Sequence, residues 1–468
     1  MGPERGTAIA VVKPSARTRR TGLASWMEQV LACHATAARA PDVRAVHQLR
    51  KALRRCRTLA GALREADPAP EWRAMLKASR TLFRALGGLR DTHVLGQWLA
   101  RLAPADDAAG SNLRYRLNQR EVDLTAQARA ALDAFDRAAW KRSIAPLAAR
   151  AARHPPGVPL LEQLAMRRLL ALHACHRRAL RDDSSTAWHA LRIAIKRLRY
   201  ACENFLPDLH RRWGGDLDRL QELLGEVHDL DLLWAEFRGA HLLADAAPRR
   251  AWRQRLDAIR APRLAAYRAL MTGRDARWRA WQAELLAPDR VAAANRAALA
   301  HWGARHGSDP ARAAWLAARF EQVLDALASG PAPPACAGAR RPGVAAALLH
   351  GLAATGSKRP SRRQVARRLE RLPLPIGWDE ADRDACTRVL AGLGRRRLGG
   401  AGVTAEVGVA ARLLDLLAAL APAGQPLPVL AIESTAGGLA LRVTPAVTVA
   451  ELYRRRLAAA LGVPVSVS

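Results

Sequence analysis

Lysine is nearly missing from this chain of 468 residues: Lys13, Lys51, Lys77, Lys141, Lys196 and Lys358 are all it has, although lysine and arginine together number 75. Acids are short too, at 42, which leaves a formal net charge of +33. Charge so far above what solubility needs implies a polyanionic partner, and arginine's planar fork suits phosphate oxygens better than an ammonium does. GC-rich coding favours arginine over lysine as well, but it creates no excess of one sign. The six cysteines (Cys33, Cys56, Cys175, Cys202, Cys336, Cys386) form no CxxC and no metal-like spacing, which excludes a disulfide framework and fits a reduced cytoplasm. No uncharged run reaches the roughly 18 residues of a membrane span. The most apolar stretch, Ala401 to Ala421, contains Glu406, Arg412 and Asp415. Met1 to Arg20 has no apolar h-region and is no signal peptide.

What the chain does have is one helix-length phrase written twice. His47-Gln48-Leu49-Arg50-Lys51-Ala52-Leu53-Arg54-Arg55-Cys56-Arg57 returns as His189-Ala190-Leu191-Arg192-Ile193-Ala194-Ile195-Lys196-Arg197-Leu198-Arg199, at a constant offset of 142 residues (189 − 47). A second pair follows: Leu86-Gly87-Gly88-Leu89-Arg90-Asp91 and Leu224-Gly225-Glu226-Val227-His228-Asp229. Self-similarity on this scale implies a duplicated supersecondary unit, and a function residing in what the copies share.

Residues 1–21 read as a basic, disordered leader. From there to about Leu286 the hydrophobic period is helical, punctuated by Pro, Gly and Asp. The spacing predicts helices near 22–39, 43–65, 71–102 and 110–150, then near 160–181, 186–206, 209–245 and 249–286: two antiparallel four-helix bundles, residues 22–150 and 159–287. A different region runs 288–468. It is helical over Arg290 to His306, Asp309 to Ala328, Val344 to Leu352, Ser361 to Leu372 and Glu380 to Leu393. Val429 to Glu433 and Leu439 to Val443 flank Gly437-Gly438 as a β-hairpin, and a helix over Val449 to Leu461 precedes a short tail.

At 100° per residue, Leu49, Ala52, Leu53, Cys56, Leu59, Ala60 and Leu63 share one face, and His47, Arg50, Lys51, Arg54 and Arg57 lie opposite. In the second copy Leu191, Ala194, Ile195, Leu198 and Cys202 face inward, with His189, Arg192, Lys196 and Arg199 opposite. A merely solvated face mixes signs, because like charges at i,i+4 cost roughly 0.2–0.5 kcal/mol a pair. Here no acid falls between Val46 and Arg64 or between Trp188 and Cys202, so these stripes call for an anion. His47 and His189 begin equivalent phrases and could meet across a pseudo-twofold. Two imidazoles are too few for a metal, so a phosphate donor or a structural partner is the expectation. Asp91 and Asp229 are expected to hold an Arg or His in place. Tryptophans such as Trp72, Trp98, Trp140, Trp234, Trp252 and Trp281 read as packing, and Arg395 to Arg397 and Arg454 to Arg456 as solvated helix ends.

The H-x-L-R-x-A-x-[RK]-R-x-R phrase, its copy and the two L-G-x-x-x-D phrases resemble the CHAD domain, the conserved-histidine α-helical domain, over about Leu23 to Leu286. The resemblance implies two pseudo-twofold-related four-helix bundles whose basic central surface binds inorganic polyphosphate. It carries over His47, Arg50, Lys51, Arg54, Arg57, His189, Arg192, Lys196 and Arg199, with Arg80, Arg84 and Arg219 from the third helices; Lys51 is matched by Ile193. Many relatives place a triphosphate-hydrolysing CYTH domain ahead of this module, but no E-x-E-x-K signature occurs here and residues 1–21 are too short for one.

The later region resembles the C-terminal HD-type domain of exopolyphosphatase and guanosine-pentaphosphatase proteins, through His306 to Leu327, Ala345 to His350, Leu374 to Leu393 and the closing hairpin and helix. Where that family has its first His stands Arg312, and where it has His-Asp stands His350-Gly351. Its next histidines fall among Lys358, Arg359, Arg362 and Arg363. A degenerate domain without metal is implied, since a working site needs those ligands to activate water; arginines in their place would suit holding an anion. The expectation is therefore a mainly α protein, without cofactor, metal or enzymatic activity, that binds inorganic polyphosphate in the cytoplasm or at polyphosphate granules. Nucleic acid is the alternative polyanion, although the two basic faces lack the aromatic platforms that single strands favour. A phosphohydrolase is the third reading.

Overall fold

The computed structural model describes residues 22–329, 334–354, 360–396, 398, 403–435, 438–447 and 449–468. The leader over 1–21, Lys358, Arg359, Arg397 and the turn residue Gly437 lie outside the described residues. The protein is mainly helical with a small sheet late in the chain, and its contacts divide it into two compact units, one ending at Ala287 and one running Pro288–Ser468.

The first unit contains α1 (Leu23–Arg39), α2 (Val43–Ala66), α3 (Pro70–Ala78), α4 (Arg80–Leu102), α5 (Ala108–Asp133) and α6 (Arg137–Ala152), then α7 (Pro159–Asp182), α8 (Ser185–Phe205), α9 (Pro207–Gly239), α10 (Ala246–Met271) and α11 (Arg277–Leu285). Three of the rods expected from sequence are broken. The rod over 71–102 breaks at Ser79, which carries no Gly or Pro signal; its buried hydroxyl donates to the Met75 carbonyl and accepts from Arg57. The rod over 110–150 breaks at Ala134–Asp136, where the Asp136 carboxylate accepts from the Ala139 amide at 2.8 Å and starts a new helix. The rod over 249–286 breaks after Met271, where Gly273 takes a left-handed φ of 83°.

The two repeats are built alike. Asp42 caps α2 by accepting from Ala45, and Ser184, at the same 142-residue offset, caps α8 by accepting from Ala187. Equal starting points give equal helical phase, so Val46, Leu49, Ala52, Leu53 and Cys56 are buried in α2 as Trp188, Leu191, Ala194, Ile195 and Leu198 are in α8. Each helix also touches its own counterpart, α2 with α8 and α4 with α9, as elements beside a pseudo-twofold axis must. One end of this junction is apolar: Leu95, Trp98 and Leu99 of α4 pack with Leu230, Leu233 and Phe237 of α9 and Trp252 of α10. Side chains of this size contribute about 1.5–3 kcal/mol each when fully buried, so the repeats are welded here. The other end, where α2 meets α8, carries the charges.

The second unit contains α12 (Pro288–Arg305), α13 (Pro310–Ala328), α14 (Ala335–Leu348), a helical turn at Gly351–Ala354, α15 (Arg362–Leu369), α16 (Glu380–Gly392) and α17 (Ala405–Leu420). β1 (Val429–Thr435), β2 (Gly438–Thr444), α18 (Glu451–Leu461) and β3 (Val465–Val467) follow. The apolar stretch after Ala401 is the central helix α17, buried almost all round among α14, α16 and α18. At the crossing of α13 and α14 a Cβ on Gly343 would lie 2.0 Å from the Phe320 ring, so only glycine fits. The expected hairpin forms with Ile432 opposite Leu441. What read as a short tail is a third strand, parallel to β2.

Candidate anion-binding site

The two basic stripes face a common locus where α2 crosses α8, floored by α4 and α9. Arg54 of α2 lies close enough to Arg192 and Lys196 of α8 to perturb both, and Arg50 perturbs Lys196 as well. Asp91 of α4 and Asp229 of α9 act on each other and on Arg192, so the carboxylates of the two L-G-x-x-x-D phrases also meet here.

The cations fall into three kinds. Arg50 and Arg57 are held by neutral groups: Arg50 donates to the Phe83 carbonyl at 2.9 Å, and Arg57 to the Leu76 carbonyl at 2.8 Å and to Ser79 Oγ at 2.7 Å. Both guanidiniums lie over the Phe83 ring, at 4.7 and 5.2 Å. These contacts fix position without cancelling charge. Gly87 makes room for the first of them, since a Cβ there would stand 2.9 Å from Arg50 Nη1. Arg199, by contrast, is held by acids, 3.0 Å from Asp218 and 3.5 Å from Glu203, and Glu203 also binds Arg55 of the other repeat at 3.2 Å. Its charge is spent internally.

Lys51, Arg54, Arg90, Arg192 and Lys196 form the third kind. Among the described residues none of these five has a carboxylate within ion-pair distance or a hydrogen-bond partner, and Arg192 Nε is buried without one. Buried N–H donors left unpaired cost about 1–3 kcal/mol, so Arg192 is poised for an acceptor. Of the less central positions, Arg80 and Arg84 are exposed and bear electrostatically on Arg57, and Arg219 is exposed, 3.8 Å from Glu222.

Burial among like charges sets the titration of the locus. Burial lowers Lys196 to about 7, reinforced by Arg192, Arg54 and Arg50 and opposed by Asp229. Burial raises Asp229 to about 6 against the pull of Arg192 and Lys196. Burial likewise lowers Arg50 to about 10, still charged at neutral pH. Among the described residues Asp229 holds no Arg or His directly; its hydrogen bond comes from Trp98. The expected hydrogen-bonded clamp is thus replaced by longer-range compensation, carboxylates that temper the locus without closing it.

The histidines are not paired with each other. His189 Nδ1 lies 3.0 Å from His228 Nδ1, so one ring donates and the acceptor ring is neutral. Burial lowers both, His228 to about 3, with Arg192 the next cause for each. In the other repeat the His47 side chain reaches solvent, and partial desolvation of its ring, then Arg90, lower it. Arg90 and His228 occupy the same place in their L-G-x-x-x-D phrases, a correspondence legible in the sequence that would have marked both. Phe83, which lends Arg50 and Arg57 an aromatic floor, comes from a different helix, and nothing in the basic phrase announces it.

In the second unit Arg312 is engaged, donating through Nε to the Ala421 carbonyl at 2.6 Å, through Nη2 to the Ala418 carbonyl at 3.1 Å, and lying 2.9 Å from His350 Nδ1. It therefore caps the carbonyl end of α17, and is not an open anion ligand. Arg362 is paired with Asp384, whereas Arg363 is exposed. Among the described residues no three His, Cys, Asp or Glu side chains stand together as a metal site, and no helix is long and apolar enough to cross a membrane.

Comparison with known proteins places the first unit. The model of the CHAD domain matches residues 22–238. A crystal structure of the CHAD domain from the plant Ricinus communis is 25% identical, covering 61% of this chain and 97% of that one, with a TM-score of 0.39. No curated protein matches. The domain match ends at the foot of α9 and leaves out the second unit.

Proposed function

With the CHAD-domain match of the first unit as premise, we propose that this protein binds inorganic polyphosphate, without hydrolysing it, at the crossing of α2 and α8. One observation carries the reading: Arg54, Arg192 and Lys196 converge from two repeats with, among the described residues, no carboxylate in ion-pair reach, and Arg192 Nε is buried unpartnered. Phosphoryl oxygens supply what these groups lack, through charge-assisted bonds that are shorter and stronger than neutral ones. Arg50 and Arg57, positioned but not neutralised, extend the track on one side, and exposed Lys51 and His47 flank it. Successive phosphates of one chain then engage successive cations, and released counterions add to the affinity. Association with polyphosphate granules follows from the same chemistry. Absence of hydrolysis is supported in the second unit by Arg312, which bonds to the carbonyl end of α17 and to His350.

The test is a titration at moderate salt with orthophosphate, tripolyphosphate and long-chain polyphosphate. Affinity is expected to rise steeply with length and to fall linearly in log–log form with salt. Equal affinity for orthophosphate and the long chain overturns the proposal. Displacement of polyphosphate by duplex DNA at equal phosphate concentration moves the reading to nucleic acid, and phosphate release with added Mg²⁺ or Mn²⁺ moves it to a hydrolase.

A further inference from the structure

The second repeat departs from the first at one informative place. Arg54 of α2 is matched in α8 by Lys196, in a chain that uses lysine only six times. This lysine is not at the rim. It is part-buried at the centre of the crossing, with Arg192 on its own helix, Arg50 and Arg54 facing it from α2, and Asp229 with His228 facing from α9. On α4, Asp91 bears on the neighbouring Arg192 and Asp229, and Asp229 bears on Arg90. Arginine keeps its proton in any protein site, whereas a crowded ammonium among guanidiniums can give its proton up.

We propose that Lys196 is the affinity-setting residue of the anion site, and that it takes up a proton from solvent as the phosphate chain binds. This rests on the polyphosphate reading above and adds its coupling to pH. In the free protein three guanidiniums and partial burial favour neutral Nζ. When phosphoryl oxygens arrive, the balance of charge around Nζ reverses and the amine becomes an ammonium donating to them. The proton adds to the Nζ lone pair and no other bond changes.

The physical ground is consistent on both sides of the crossing. Burial among cations brings the lysine of the free site to about 7, so above that pH much of the population lacks this charge. Asp229, raised to about 6, responds in the same sense, because a bound anion also disfavours its carboxylate. The sign follows: the bound state holds more protons than the free state, so affinity rises as pH falls. One proton taken up corresponds to a slope of about tenfold per pH unit, expected between about pH 8 and 9.5, with a shallower slope near pH 7 as Lys196 becomes charged in the free protein. The corresponding position in the first repeat cannot behave this way, because it is an arginine.

The experiment is calorimetric titration of the full chain with long-chain polyphosphate at pH 8, in buffers of widely different ionisation enthalpy, for wild type, Lys196→Arg and Lys196→Gln. Proton exchange by the ligand's own terminal groups is common to all three and cancels in the comparison. Wild type is expected to take up between about half and one more proton per site than either variant. Between pH 7 and 9.5 its affinity should change by tenfold or more, against threefold or less for Lys196→Arg. Equal proton uptake and parallel pH profiles in wild type and both variants, with binding intact, overturn the role of Lys196 alone. No binding by wild type at any pH overturns the polyphosphate reading itself. The glutamine variant keeps the test sound if the larger arginine disturbs the crossing.

Discussion

The two repeats write nearly the same phrase and use it differently. In the first, Arg50 and Arg57 are tied to carbonyls, a hydroxyl and the Phe83 ring, all neutral, so position is gained and charge retained. In the second, Arg199 is tied to Asp218 and Glu203, so charge is spent, while Arg192 and Lys196 are left open. Gly87 lets Arg50 lie against α4, whereas nothing stands within 4 Å of a Cβ on Gly225, and Arg192 points elsewhere. The first repeat therefore adds a fixed cationic rail to its open Arg54, whereas the second repeat spends Arg199 and offers only open groups, Arg192 and Lys196. A duplicated motif predicts where the charges are; which of them remain available depends on the partners the rest of each repeat provides.

The largest break in this comparison is expected from removing the open groups of both repeats. Arg54→Ala with Arg192→Ala should weaken long-chain polyphosphate binding by roughly a hundredfold or more, at about 1.5–3 kcal/mol for each charge-assisted contact. Arg199→Ala serves as the contrast: an affinity within about threefold of wild type, but a lower melting temperature, because Glu203 loses a partner in a part-buried place. Calorimetry paired with thermal melting checks both. Equal affinity losses from Arg192→Ala and Arg199→Ala would erase the distinction between open and spent cations.

A smaller effect separates the two glycines. Gly225→Ala meets no neighbour and should stabilise the fold by about 0.5–1 kcal/mol through helix propensity alone. Gly87→Ala adds the same propensity but pushes Arg50 off the Phe83 carbonyl, so its melting temperature should rise less or fall, and affinity should drop several-fold. Identical behaviour of the two variants would mean that the Arg50 contact has no energetic role.

Most of the helical architecture was legible because period and punctuation agreed. The paired caps Asp42 and Ser184 fix the phase of both basic helices, and phase alone assigns the inward and outward faces. The break at Ser79 was not legible, since its cause is a hydroxyl buried beneath Arg57, a tertiary contact with no local signature. The third strand hid in three residues whose pairing depends on β2. At the site, the stripe could be read but not its partners. Glu203 and Asp218 lie on either side of a helix boundary and look like ordinary surface acids, yet they decide the fate of Arg199.

The smallest expected effect concerns the imidazoles. His228 is half-buried, and that burial, then Arg192 and His189 beside it, push it down to about 3, while an unfolded histidine titrates near 6.5. Between those values the unfolded chain binds the extra proton and the folded one does not. The stability contributed by a neutral His228 is therefore full above about pH 6.5 and is lost as pH falls toward 3. The first repeat has Arg90 at the matching position, so this particular titration belongs to the second repeat. Melting temperatures recorded from pH 7.5 to 4.5 are expected to fall more steeply for wild type than for His228→Asn, which keeps a polar partner for His189 but carries no titrating ring. Parallel curves would assign the acid loss to carboxylate pairs such as Asp67 with Arg150 and remove the imidazole pair from the account.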